Sequence, residues 1–191
     1  MKNTLLLYSC VLLAVACGRG KKETPKSYIS IVSLVKRQVN AVDSNFGLLI
    51  KKIVITDSAH SDTTVISREQ FNEEAKAFLN IPDLSLAKVA KLYKEETASY
   101  DNMMNRVIIA YSAIKPEEEY KTQQMLVIPD NAAGDKVSNI MATSEISGEK
   151  GIIIRKNLLW QLDKSFQVTT TTLKNGEPDQ SITTKVIWSE G

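Results

Sequence analysis

Residues 56–62, Thr-Asp-Ser-Ala-His-Ser-Asp, hold the chain's one imidazole between two carboxylates. Carboxylates and an imidazole are donors for hard or borderline cations, and gaps of three and two residues let Asp57, His60 and Asp62 meet in one loop. The same residues serve a loop between two strands equally well, because aspartate and serine side chains close turns onto their own backbone. No metal and no cofactor are expected. Asp57, His60 and Asp62 are the candidate ligands to locate in the fold.

Other spacings suggest catalysis and then lose their support. Ser85-Leu86-Ala87-Lys88 has the Ser-x-x-Lys spacing of penicillin-binding proteins, in which the serine attacks and a neighbouring base activates it. The same spacing recurs at Ser33 to Lys36 and at Ser147 to Lys150, and the companion Lys-Thr-Gly and Ser-Asp-Asn elements are absent. A serine triad would have to use His60, and no Gly-x-Ser-x-Gly elbow accompanies any serine. The carboxylate pairs Glu73-Glu74, Glu95-Glu96 and Glu117-Glu118-Glu119 could do acid–base work on glycans, but solvated charge is their default in helices and turns. There is no glycine-rich phosphate loop. Catalysis is not expected; binding or assembly is.

Two surfaces could bind. Trp160, Trp188, Phe166 and Tyr111 could line a cavity for an acyl chain or another hydrophobe, or they could simply be core. The Thr169 to Thr172 run and its polar neighbours could be a docking face, or merely a wetted side of the sheet.

These residues must be positioned by elements that the periodicity outlines. Tyr28, Ile31, Val32, Val35, Val39 and Val42 fall at steps of three and four, predicting a first helix. "FGLLIKKIVIT" reads as a strand. Ser67 and Gln70 have capping-box spacing, with Ile66 placed to staple onto Phe71, and the helix they open runs through Ala75, Phe78 and Leu79 to Pro82. A third helix is expected from Asp83 or Ser85, with Leu86, Val89, Ala90 and Tyr93 on one face. After Tyr100 the period changes to two, and six strands follow, separated by turn residues such as Asn175-Gly176. In the last three, Leu158, Trp160, Phe166, Val168, Val186 and Trp188 alternate with Arg155, Gln161, Gln167, Thr169, Thr171, Thr183 and Lys185. One face should be covered and the other wet. The expected fold is a two-layer α+β domain over residues 27–191, its N-terminal helices packed on a largely antiparallel sheet with a C-terminal six-strand meander.

Composition bounds the partners. The 191 residues are 43% hydrophobic and 24% charged, enough for one domain with a core. A formal charge of +2 argues against nucleic acid. Four basic residues against one acidic residue lie between Gly18 and Lys26, leaving the body slightly negative. The two cysteines, Cys10 and Cys17, both precede the body, so cysteine-based disulfide, metal or nucleophile chemistry is excluded from it.

The amino terminus carries an address. Lys2, a largely apolar run from Leu5 to Ala16 and the small residues of Ala14-Val15-Ala16 read as a signal peptide, residues 1–16. The run is too short to span a bilayer, which takes about 20 apolar residues. "LAVAC" resembles the lipobox of bacterial lipoproteins, with Cys17 at the acylated position. That resemblance implies cleavage before Cys17, multiple acyl chains on it, and, with Gly18 following, an outer-membrane location facing the periplasm. Ala14-Val15-Ala16 would also suit ordinary signal peptidase, which would leave Cys17 as a free thiol. Under the lipobox reading, residues 17–26 are the lipidated cysteine and a basic tether. The sequence points to a membrane-anchored envelope lipoprotein of unassigned role that acts by binding or assembly, an envelope protein being one candidate partner. The alternative is a periplasmic carrier of a lipid or other hydrophobic ligand.

Overall fold

The apolar stripe after Tyr28 becomes α1 (Ile31–Ser44), which buries Ile31, Val32, Val35, Val39 and Val42. It begins at Ser30, whose hydroxyl accepts the Ser33 N–H at 3.0 Å and satisfies an amide the helix leaves open. This computed structural model describes residues 28–57, 60–130, 132 and 134–189. The expected signal peptide, Cys17 and the tether lie outside the described residues.

A hairpin follows α1, built from β1 (Leu49–Asp57) and β2 (His60–Val65). Then comes α2 (Arg68–Leu79), opened by a reciprocal cap. The Ser67 hydroxyl accepts the Gln70 N–H at 3.3 Å and the Gln70 side chain accepts the Ser67 N–H at 2.9 Å. Arg68 also reaches back to α1, donating to the Asn45 carbonyl at 2.7 Å, where a helix's C-terminal end favours a cation. Phe71, Ala75 and Phe78 form the buried stripe of α2. One further helical turn, α3 (Ala87–Ala90), precedes β3 (Tyr93–Glu95) and β4 (Ser99–Asp101).

Six longer strands complete the chain: β5 (Arg106–Ala113), β6 (Tyr120–Ile128), β7 (Lys136–Ser147), β8 (Ile152–Gln161), β9 (Ser165–Lys174) and β10 (Glu177–Ser189). All pairings are antiparallel, and the sheet order is β2-β1-β10-β9-β8-β7-β6-β5-β3, with β4 also on β5. The turn between β9 and β10 is Asn175-Gly176, with φ of +55° and +86°, the positive values a tight hairpin needs. Among the described residues, no helix is long and apolar enough to cross a membrane.

The two-layer α+β expectation is overturned. Of the described residues, 52% lie in strands and 21% in helices, and one ten-stranded antiparallel sheet is the architecture. Among the described residues only two helices exceed a single turn, and they reach one part of one face. Phe71 and Phe78 meet Trp160 edge-on at 6.4 and 5.0 Å between ring centroids, and Phe71 meets Trp188 at 5.2 Å. Further along the same face Lys156, Thr170 and Ile182 stay half-exposed, with no second layer of described residues over them.

The expected third helix is cut to the single turn Ala87–Ala90 for a local reason. The Asp83 carboxylate accepts both the backbone N–H and the hydroxyl of Ser85, at 3.0 and 2.8 Å, and closes a turn where a helix would need to propagate. Tyr93 is then drawn into the sheet. It pairs with Ala113, and its buried hydroxyl donates to the Tyr120 carbonyl at 2.9 Å. Four helical residues are too few to offset a helix nucleus, so tertiary pairing decides the segment.

Candidate functional site

The sheet places the candidate ligands at its edge. Asp57 pairs with His60 across the β1–β2 hairpin beside a register shift, and Asp62 sits opposite Val54. His60 and Asp62 are exposed on β2, the outermost strand, while the Asp57 side chain and residues 58 and 59 lie outside the described residues. Among the described residues, no group of three or more such ligands could hold a metal ion.

The catalytic spacings are dispersed. Ser85 donates its hydroxyl to Asp83, whose carboxyl is held low. Burial pushes that carboxyl up, but the bonds from Ser85 and Ser30 and the nearby Lys36 outweigh it. Glu73 pairs with Lys76 at 2.6 Å, Glu74 with Lys52, and Glu96 with Lys94 at 3.0 Å. These acids are partnered on the surface and do not converge on a cleft.

The aromatic residues fill space instead of enclosing it. Trp160 stacks on Phe166 at 4.8 Å and an interplanar angle of 23°, and Trp188 lies 5.4 Å from Trp160. All three are buried under α2. Tyr111 is buried apart from them, edge-on to Tyr28 at 5.2 Å. The neighbouring phenols are tied to backbone. Tyr120 donates to the Ala77 carbonyl at 3.2 Å, and burial, with Glu119 and Tyr93 nearby, pushes its pKa up to about 12. Tyr93 and Tyr111 are raised by burial as well. Phenols held neutral this firmly do not serve as acids or bases near neutrality.

Side chains alternate along a strand, so the neighbours of Trp160 and Leu158 point to the opposite face, which α1 and α2 do not reach. There the register aligns a polar row across five strands: Thr122, Thr143, Asn157, Thr169 and Thr183. Thr122 and Thr143 share a hydrogen bond of 2.7 Å, and Thr169 and Thr183 one of 2.9 Å. Asn157 stands exposed between these pairs. The next row, Gln124, Met141, Leu159 and Gln167, gives the adjoining wall two amides and two apolar side chains. Together the rows line a cleft of about 230 Å³ with no charged residue in its lining. Hydroxyls and amides around an apolar patch can hydrogen-bond a neutral partner while burying some of its carbon surface.

No protein-family model, curated protein or solved structure matches this chain.

The contributions of β8 to β10 to this face, Gln167, Thr169 and Thr183 among them, are readable from strand alternation. Those of β6 and β7 are not. Thr122 and Thr143 become neighbours of Asn157 through cross-strand register, which is offset by shifts at Tyr120/Thr122 and Leu126/Val127. A bulge moves side chains between faces, and periodicity within one strand carries no trace of it.

Proposed function

We propose that this chain is a cell-envelope lipoprotein, acylated at Cys17, whose body binds an envelope protein partner through the uncovered face of its sheet. The address rests on "LAVAC", the apolar run before it and the basic segment after it. Gly18 after the cysteine favours the outer membrane, facing the periplasm. Binding, as against catalysis, rests on the threonine and asparagine row across β6 to β10, a built polar surface with its own internal hydrogen bonds and a cleft at its centre. The hydrophobe-carrier reading draws less support, because Trp160, Phe166 and Trp188 are spent on one another and on Phe71.

Two measurements test this. Mass spectrometry of the mature amino terminus is expected to show acyl mass on Cys17; an unmodified thiol there removes the address. A photoreactive residue replacing Asn157 is expected to cross-link one discrete partner in cells, while the same residue replacing Lys76 on exposed α2 surface does not. Equal cross-linking from both positions would overturn the docking face.

A further inference from the structure

The tip of the β4–β5 hairpin presents apolar side chains that no other described element covers. Tyr100 is 52% exposed, Met103 97% and Met104 54%. The presentation is built. The Asp101 carboxylate accepts the Met103 and Met104 N–H groups at 2.9 and 3.1 Å, Asn105 turns the chain at a φ of +51°, and the Tyr100 hydroxyl bonds to the Asn105 side chain. Methionine is apolar, flexible and polarizable, suited to irregular surroundings such as an acyl-chain boundary. Apolar side chains exposed side by side, unlike singly scattered ones, are a mark of a contact surface.

Beside the tip, at the same end of the sheet, Arg106, Lys136 and Lys164 line a cleft of about 240 Å³ together with Ile128. Among the described residues, no acidic side chain lines it. The nearby acids keep their charge but face away into local bonds: Asp101 accepts the two methionine N–H groups, Asp130 the Ala132 N–H at 2.9 Å, Asp135 the Asp130 N–H at 3.3 Å, and Asp163 the Gln38 amide at 2.8 Å, with Lys136 3.7 Å away. Cations around an apolar tip complement phosphates lying above acyl chains.

The point at which the chain enters the body agrees with this orientation. Tyr28, the first described residue, packs on Tyr111 of β5, the strand that starts from the tip. Tyr111 lies five residue steps from Arg106, about 17 Å along a strand. The nine residues from Gly18 to Lys26 span at most about 30 Å. A bilayer holding Cys17 is therefore within reach of the tip.

We infer that the Tyr100–Met104 tip and the Arg106, Lys136 and Lys164 cleft form a second membrane contact, which inserts shallowly into a bilayer carrying anionic phospholipid and orients the anchored body. The inference rests on the acylated-anchor reading for its geometry and can fail independently of it. The test uses the acylated chain with Met103→Cys labelled by an environment-sensitive fluorophore, reconstituted into phosphatidylethanolamine vesicles containing phosphatidylglycerol. The label is expected to shift to the blue and to be quenched by nitroxide lipids, whereas a label at Lys76→Cys stays aqueous. Lys136→Gln and Lys164→Gln are each expected to lower partition of the unacylated Cys17→Ser chain onto these vesicles about fivefold. A Met103 label as aqueous as the Lys76 label, on protein that floats with the vesicles, overturns the contact and leaves the anchor standing. Should Cys17 carry no acyl mass, the anchor fails, and the label still decides the contact. A blue shift on added phosphatidylglycerol vesicles supports it, and no shift, or an equal shift with inorganic phosphate alone, overturns it.

Discussion

Phe166 shows how much of this body depends on a few rings. It is 1% exposed and lies within 6.0 Å of Trp160, Trp188, Phe71 and Phe78, centroid to centroid. Phe166→Ala removes the shared neighbour of the cluster and leaves a cavity the rigid rings cannot close. Denaturant titration is expected to show a loss of about 3–5 kcal/mol with little change in slope. Tyr120 yields a pH signature. An unfolded tyrosine ionises near pH 10, whereas Tyr120 in the fold keeps its proton up to about 12. A pKa raised by folding contributes stability that is complete below the unfolded value and is lost as pH climbs towards the folded one. Stability should therefore fall between about pH 10 and 12, by up to ~3 kcal/mol from this residue. Tyr120→Phe should make that fall shallower, with Tyr93 and Tyr111 sustaining part of it. Identical pH profiles for the two proteins would contradict the assignment.

Among the elements, α2 has its start written most fully in its own residues, with a reciprocal cap where α1 has a single one. Ser67 and Gln70 each satisfy an amide of the other, so Ser67→Ala is expected to cost about 1 kcal/mol. The double substitution with Gln70→Ala should cost less than the two single losses added, because each half of the box needs the other. A thermal or denaturant series on the four proteins measures that coupling. The segment after Pro82 is the opposite case. Leu86, Val89, Ala90 and Tyr93 have helical spacing, yet only Ala87–Ala90 turn, because Asp83 captures Ser85 and Tyr93 gains a buried hydrogen bond as a strand residue. Helical spacing in so short a stretch is compatible with either outcome. The partner strand, β5, decides between them.

For the whole molecule, the address and the body are separable claims. Cys17→Ser is expected to move the protein from the membrane fraction to the soluble fraction while its circular dichroism stays that of a β-rich fold; retention at the membrane would require another anchor. The body's longer strands were legible because alternation is local: Trp160 and Leu158 against Gln161 and Arg155 announce two faces before any partner is known. The α1 stripe and the α2 cap were legible for the same reason, since each is satisfied within a few residues. The balance of the fold was not. Whether helices form a layer depends on how far ten strands extend the sheet beyond what α1 and α2 can reach, and that is a sum over long-range pairings. The candidate site follows the same division. The sequence by itself determined which residues alternate on the wet side of β8 to β10, and it excluded cysteine chemistry from the body. Only the tertiary structure set Thr122 and Thr143 beside Asn157 and gathered Arg106, Lys136 and Lys164 around one cleft. Register and loop convergence arise from contacts between residues far apart in the chain, and no local pattern encodes them.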